Sequence, residues 1–209
     1  MKRNNDFESI KNEFLSLYMN FSKYEMVSKI TYVTPHNVKI DGEDCNVIGV
    51  TSDRINKSNY NEIVETTIEN EKYHILFNDL SYINMLYYFN NNNELVYSSV
   101  SYVPYDNGDD PFTNMSKYVR IDFEKKGYVE TFHPYSHIHF SVYKNDFRMP
   151  VDHVFTPIEF VNFIMLYFYK KEIDKKYLNI DKITLLSCKP LSVKEDSRFK
   201  VSFGGFKEK

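Results

Sequence analysis

Apolar side chains recur at three- and four-residue steps near the start of the chain, as Phe7, Ile10, Phe14, Leu17, Phe21 and Tyr24. That spacing stacks them on one face and predicts an amphipathic helix over residues 6–27. Short β-branched runs follow around Tyr32, Val38 and Ile48, punctuated by Pro35, Gly42 and Asp44, and predict a small meander. Residues 59–69 carry Ile63, Val64, Thr67 and Ile68 at helical spacing and predict a short helix weakened by its Thr and Asn content.

Two runs rich in Tyr, Val and Ser, residues 82–89 and 95–105, flank Asn90, Asn91, Asn92, Asn93 and Glu94. Asn tolerates left-handed backbone, so the pair predicts a β-hairpin. Beyond a polar loop at 106–114, residues 118–123, 128–132 and 138–143 continue an antiparallel sheet, with a turn at Lys126-Gly127. Thr156-Pro157-Ile158-Glu159 has the form of a helix start: Thr caps, Pro takes the first position and Glu closes a capping box. The following VNFIMLYFY run is apolar on all sides, which places that helix in the interior. ITLLSCKPLSV and FKVSF suggest two closing strands before Gly204-Gly205 and a charged tail. With no repeat and no linker, the pattern implies a single α+β domain over residues 1–209. It is mainly antiparallel sheet, packed by the N-terminal amphipathic helix and the buried apolar helix.

Hydrophobic residues at 42% and charged residues at 26% exclude disorder as the state of most of the chain. A net charge of −3 provides no global field for a polyanion, so any nucleic-acid site must be a local patch. Ala, Gln and Trp are absent while Asn, Lys, Tyr, Phe and Ile abound, as in A/T-rich coding, so the 17% aromatic content serves the core before it signals base stacking. Arginine is scarce, which makes Arg120 and Arg148 stand out. Cys45 and Cys188 have no metal-ligand or disulfide-framework spacing and are expected to be reduced. The basic N-terminus has no apolar run behind it, and the longest apolar stretch, residues 160–169, falls short of the roughly 20 residues that cross a bilayer. A cytoplasmic protein without membrane contact is the expectation.

Candidate chemistry lies between residues 118 and 153. In a strand, residues two apart share a face, so His137, His139, Ser141 and Tyr143 oppose Ile138, Phe140 and Val142, and Arg120 and Asp122 oppose Val119, Ile121 and Phe123. If the polar faces meet, Val119, Ile121, Ile138 and Phe140 are buried while Arg120, Asp122, His137 and His139 form a partly open surface. The catalytic candidates are His133, His137, His139, Arg120 and Asp122, and the substrate-binding candidates are Arg148, Tyr143 and Ser141.

Three chemistries fit these side chains. Imidazoles acting as general base and general acid, with an arginine on the phosphate, make a metal-independent ribonuclease-like phosphodiesterase of toxin or phage-defence type, acting on RNA without a cofactor. Alternatively, His137 and His139 ligate a transition metal, with His133, His153 or Asp122 completing the shell. In the third reading the polar face binds a cognate protein encoded nearby, and the chain is a non-catalytic accessory subunit. The first is favoured. Gly204-Gly205 lacks the context of a phosphate loop, Asp106, Asp109 and Asp110 lack the closing Glu of a calcium loop, and Lys170, Lys171, Lys175 and Lys176 suit the solvated end of the apolar helix.

Taken together, YVRIDFEKKGYVETFHPYSHIHF, FRMPV and TPIEFVNFIMLYFY carry the pattern Arg-x-Asp, His-Pro-x-Ser-His-x-His, Arg-x-Pro-Val and Thr-Pro before a Phe-rich helix. This pattern resembles an uncharacterised bacterial family of unknown function, over roughly residues 70–175. The resemblance implies a bacterial cytosolic protein from a mobile or defence-associated gene neighbourhood and supplies no established activity. Ser98 and Ser99 stand where that family usually carries a charged pair.

Overall fold

The computed structural model describes residues 6–51, 55, 59–105, 117–126, 134–140, 148–151, 153–169 and 186–187. Helix α1 spans Phe7–Phe21, and the Asp6 side chain caps it by accepting the Ser9 amide at 2.8 Å. Its buried residues are Ile10, Phe14, Leu17 and Phe21, the face that the spacing predicts. Each such burial contributes roughly 1.5–3 kcal/mol. The helix stops short of residue 27 because Val27–Ile30 enters the sheet as β1, and Tyr24 folds back onto Phe21 at a ring separation of 4.8 Å.

Strands β2 (His36–Ile40) and β3 (Glu43–Gly49) form a hairpin across Asp41-Gly42, whose φ angles of 51° and 84° are those of a two-residue primed turn. Helix α2 follows at Tyr60–Glu69, then β4 (Ile75–Phe77), β5 (Tyr82–Phe89), β6 (Leu95–Val103), β7 (Val119–Glu124), β8 (Ser136–Phe140) and β9 (Met149–Pro150). The sheet order is β1-β4-β5-β6-β7-β8-β9, and every pairing is antiparallel. The expected meander is not formed: β1 pairs with β4, β3 pairs with β5, and Asp44 lies within β3 opposite Lys39. β3 and β4 thus share one edge of β5. Where β3 leaves that edge, Gly49 has φ 137°, and a Cβ there would lie 2.3 Å from the Met85 carbonyl oxygen.

The predicted β5–β6 hairpin is present, with Asn93 in the left-handed region at φ 62°. Short strands β10 (His153–Val154) and β11 (Leu186–Ser187) pair apart from the main sheet. Helix α3 spans Pro157–Phe168 and starts with the predicted capping box: Thr156 Oγ1 accepts the Glu159 amide, and Glu159 Oε2 accepts the Thr156 amide. Phe160, Val161, Ile164 and Met165 of α3 are buried, whereas Tyr167 is exposed, so the helix is not interior on all sides. The stretches at 106–114 and 128–132, the lysines from 170 to 176, Cys188 and Gly204-Gly205 lie outside the described residues.

Helices α1 and α3 cover one sheet face, where Met85, Tyr87, Val100, Val119, Ile121 and Ile138 pack in the main core. The Ile158 amide donates to Glu13 Oε2 at 3.0 Å and joins the two helices. On the opposite face a smaller cluster forms between α2 and the sheet, with Tyr60 and Val64 against Tyr82, Val103 and Tyr118. That cluster covers only one end of the face, and the functional candidates lie beside it.

Candidate functional site

The alternation predicted for the two strands sets the site. In β7, Val119, Ile121 and Phe123 point into the core, while Arg120 and Asp122 point the other way. Antiparallel register places Arg120 opposite His139 and Asp122 opposite His137, with Ile121 opposite Ile138. On the other side of β7, Arg120 is opposite Ser101 and Asp122 opposite Ser99. Directly paired residues share a face, so Ser99, Ser101, Arg120, Asp122, His137 and His139 stand together.

Arg120 Nε donates to Asp122 Oδ2 at 2.8 Å, and the Ser99 hydroxyl donates to Oδ1 at 2.7 Å. His139 Nε2 lies 3.1 Å from Arg120 Nη2 and 3.4 Å from Asp122 Oδ2. A guanidinium only donates, so the shorter contact requires a lone pair on that nitrogen; a proton there would turn toward the carboxylate instead. One nitrogen cannot do both. His137 Nδ1 donates to the Pro134 carbonyl at 3.2 Å, which leaves its Nε2 facing Asp122 Oδ2 at 3.7 Å. Burial alone would raise the Asp122 carboxyl, but the adjoining His139 ring, the charge of Arg120, the His137 imidazole and the Ser99 hydroxyl override it and hold the group at about 2. Asp122 is therefore a carboxylate at neutral pH.

The expected open polar surface is corrected in two respects. His137 and His139 are 2% and 1% exposed, covered instead of open, while Arg120 and Asp122 are half-buried at the surface. Phe140, expected in the core, is 39% exposed because it sits at the end of β8, outside the core cluster. Ile138, Val119 and Ile121 are buried as predicted.

Arg120 and Asp122 form part of the lining of a cleft of about 420 Å³, which also takes in Tyr88, Tyr97, Ser99, Ser101 and Asn84. Arg148, exposed, reaches this cleft as the sequence suggested. Tyr88 and Tyr97 lie with ring centroids 5.3 Å apart, and burial pushes the Tyr97 phenol up to about 12, so it stays neutral. Among the described residues, Asp122, His137 and His139 are the group of three that could hold a metal, their ligand atoms within 4.8 Å of one another. His153 stands apart from that group, in β10 opposite Ser187. His133, Ser141 and Tyr143 lie outside the described residues.

The chain matches, over residues 22–203, the family model described as an uncharacterized conserved protein (DUF2290). The chain belongs to the DUF2290 family. No curated protein and no solved structure matches it. The DUF2290 match extends well beyond residues 70–175 on both sides, so the β2–β3 hairpin and α2 are part of the family unit, while α1 precedes it. Sequence reasoning missed Ser101, Tyr97 and Asn84 in this DUF2290 chain. The signal for Asn84 was present: it is the one non-aromatic polar residue in the run Tyr82–Phe89. Ser98 and Ser99 separate, with Ser98 buried opposite Phe123 and Ser99 bonded to Asp122. Among the described residues, no helix is long and apolar enough to cross a membrane.

Proposed function

We propose that this protein is a metal-independent phosphodiesterase that cleaves single-stranded RNA in the cleft above β5–β7. The observation that carries this reading is the shared use of Arg120, which lines the cleft, by Asp122 and by the buried His139, with Arg148 also in the lining. In the resting protein Arg120 occupies the lone pair of His139. A phosphate entering the cleft competes for the guanidinium, whose fork matches two phosphate oxygens. Arg120 then turns to the phosphate and uncovers His139 Nε2.

The freed nitrogen takes the proton of the ribose 2′-hydroxyl as that oxygen attacks phosphorus. The bond from phosphorus to the 5′-oxygen breaks, and the leaving oxygen takes a proton from the His137 imidazolium, giving a 2′,3′-cyclic phosphate and a 5′-hydroxyl. Arg120 and Arg148 stabilise the added negative charge in the transition state. The toxin or phage-defence setting belongs to the same proposal and predicts growth arrest on expression, relieved by His139→Ala.

A second reading is favoured by the separations of 3.4 and 3.7 Å from the two imidazole nitrogens to Asp122 Oδ2. They approach the edge of a tetrahedral zinc shell, about 3.4 Å for bonds of about 2.1 Å. A transition metal on Asp122, His137 and His139 would have to displace Arg120, because the His139 lone pair cannot serve both. The test is cleavage of a mixed-sequence RNA oligonucleotide by the purified full chain in EDTA, with elemental analysis of the same sample. Cyclic-phosphate ends formed in EDTA are expected. Stoichiometric metal with EDTA-sensitive cleavage replaces the first reading by the second. No cleavage of RNA or DNA across the imidazole pH range, with or without divalent ions, overturns both and leaves the protein-binding reading.

A further inference from the structure

Asn84 is 2% exposed and lies at the cleft, yet neither its amide nitrogen nor its amide oxygen has a hydrogen-bond partner. A buried carboxamide left unpaired on both atoms is costly, and nearly all buried polar groups in folded proteins are paired. The register places Asn84 opposite Ser101, and Ser101 opposite Arg120, so the amide lies two strands from the phosphate-gripping guanidinium on the same face. Every other residue of β5 from Tyr82 to Phe89 is aromatic or aliphatic, so the amide breaks an otherwise apolar strand.

We propose that Asn84 reads the edge of a nucleobase whose nucleotide places its phosphate on Arg120. A carboxamide presents a donor and an acceptor side by side, the complement of the paired acceptor and donor on a base edge, as in bidentate recognition of adenine. The ligand completes the two hydrogen bonds that the fold leaves open, and the hydroxyl of Ser101 stands beside them. The half-buried faces of Tyr88 and Tyr97 at the other end of the cleft suit stacking of a neighbouring base. The cleft volume of about 420 Å³ lies in the range of small-ligand sites. This inference rests on the RNA reading above and adds a base preference to it.

The experiment measures binding of the four nucleoside monophosphates and of inorganic phosphate to the full chain, for wild type, Asn84→Leu and Asn84→Ala. Wild type is expected to favour one base by about tenfold or more, the discrimination a bidentate pair provides. Asn84→Leu, nearly equal in size, is expected to lose that preference, keep its phosphate affinity and melt at a higher temperature than wild type, because the orphaned amide is gone. Asn84→Ala should lose the preference without adding bulk. A preference that survives both substitutions, or equal affinity of wild type for all four nucleotides, overturns the inference. RNA cleavage is scored separately. Cleavage with unchanged base preference in Asn84→Ala removes the base reader and keeps the enzyme, whereas base discrimination without cleavage keeps the reader and removes the enzyme.

Discussion

Replacing Asp122 by Asn tests the electrostatic core of the site. The carboxyl ionises near 4 in an unfolded chain and at about 2 in the fold. Because the folded value is depressed, its contribution is fully present above the unfolded value and is lost as pH falls toward the folded one. Linkage gives roughly 2–3 kcal/mol at neutral pH, nearly the same at pH 5, and roughly half of that at pH 3. The carboxamide of the variant would still accept a hydrogen bond but would leave the half-buried Arg120 without its counter-charge, which adds a pH-independent cost. The wild-type advantage over Asp122→Asn should therefore narrow by about 1 kcal/mol between pH 5 and pH 3, a window below the ordinary imidazole range. Urea unfolding followed by circular dichroism and tyrosine fluorescence at the two pH values measures it, the chain having no Trp. A gap that stays constant within about 0.3 kcal/mol, or widens in acid, refutes an ionised Asp122 held by Arg120 and the imidazoles.

His137→Ala and His139→Ala should each lower RNA cleavage by about 10²–10⁴-fold while the protein stays folded, and the wild-type rate should be bell-shaped in pH; full activity in either variant defeats the acid–base assignment. Gly49→Ala should destabilise by more than about 1 kcal/mol through both its backbone conformation and the collision with the Met85 carbonyl, and an unchanged melting temperature would show that β3 leaves β5 differently. Thr156→Ala should cost about 1 kcal/mol in urea unfolding by removing the α3 cap, whereas Thr156→Ser should recover most of it.

Legibility in the sequence tracked how local the determining physics is. The α1 face, the capping box of α3, the β5–β6 hairpin and the faces of β7 and β8 follow from spacings of a few residues, and they appear as read except for Phe140, which is exposed at the end of β8. Pairings set by long-range partners were not legible: β1 seeks β4 across more than forty residues, and β3 joins β5 instead of closing a meander. Alternation at period two places Arg120, Asp122, His137 and His139 on one face, but period says nothing about what covers that face. Hence the burial of both imidazoles came only from the structure. Ser99 looked like a departure from a family pattern, and its hydroxyl turns out to hold Asp122 Oδ1.

The two faces of one set of strands carry opposite energetic characters. On the α1 and α3 side, β5 to β8 present Met85, Tyr87, Val100, Ile121 and Ile138 to a closely packed core, where each buried side chain adds stability. On the other side the same strands hold an arginine–carboxylate pair, two covered imidazoles and a carboxamide without partners. Apolar residues of similar volume at such positions are often neutral or stabilising relative to a buried ion pair, and an unpaired amide is a loss outright. Stability alone therefore does not account for these residues. Several of these costs gather where the cleft opens, beside the second arginine in its lining, although Thr31 Oγ1 and His74 Nε2 are unpaired elsewhere. Destabilising polar groups gathered at one concave place are what a preorganised binding or catalytic site requires, since the ligand supplies the missing partners. The same reasoning separates Arg120 from the surface lysines: its ion pair is held between strands, whereas Lys29, Lys39 and Lys126 pair with acids in the open, where such contacts contribute little.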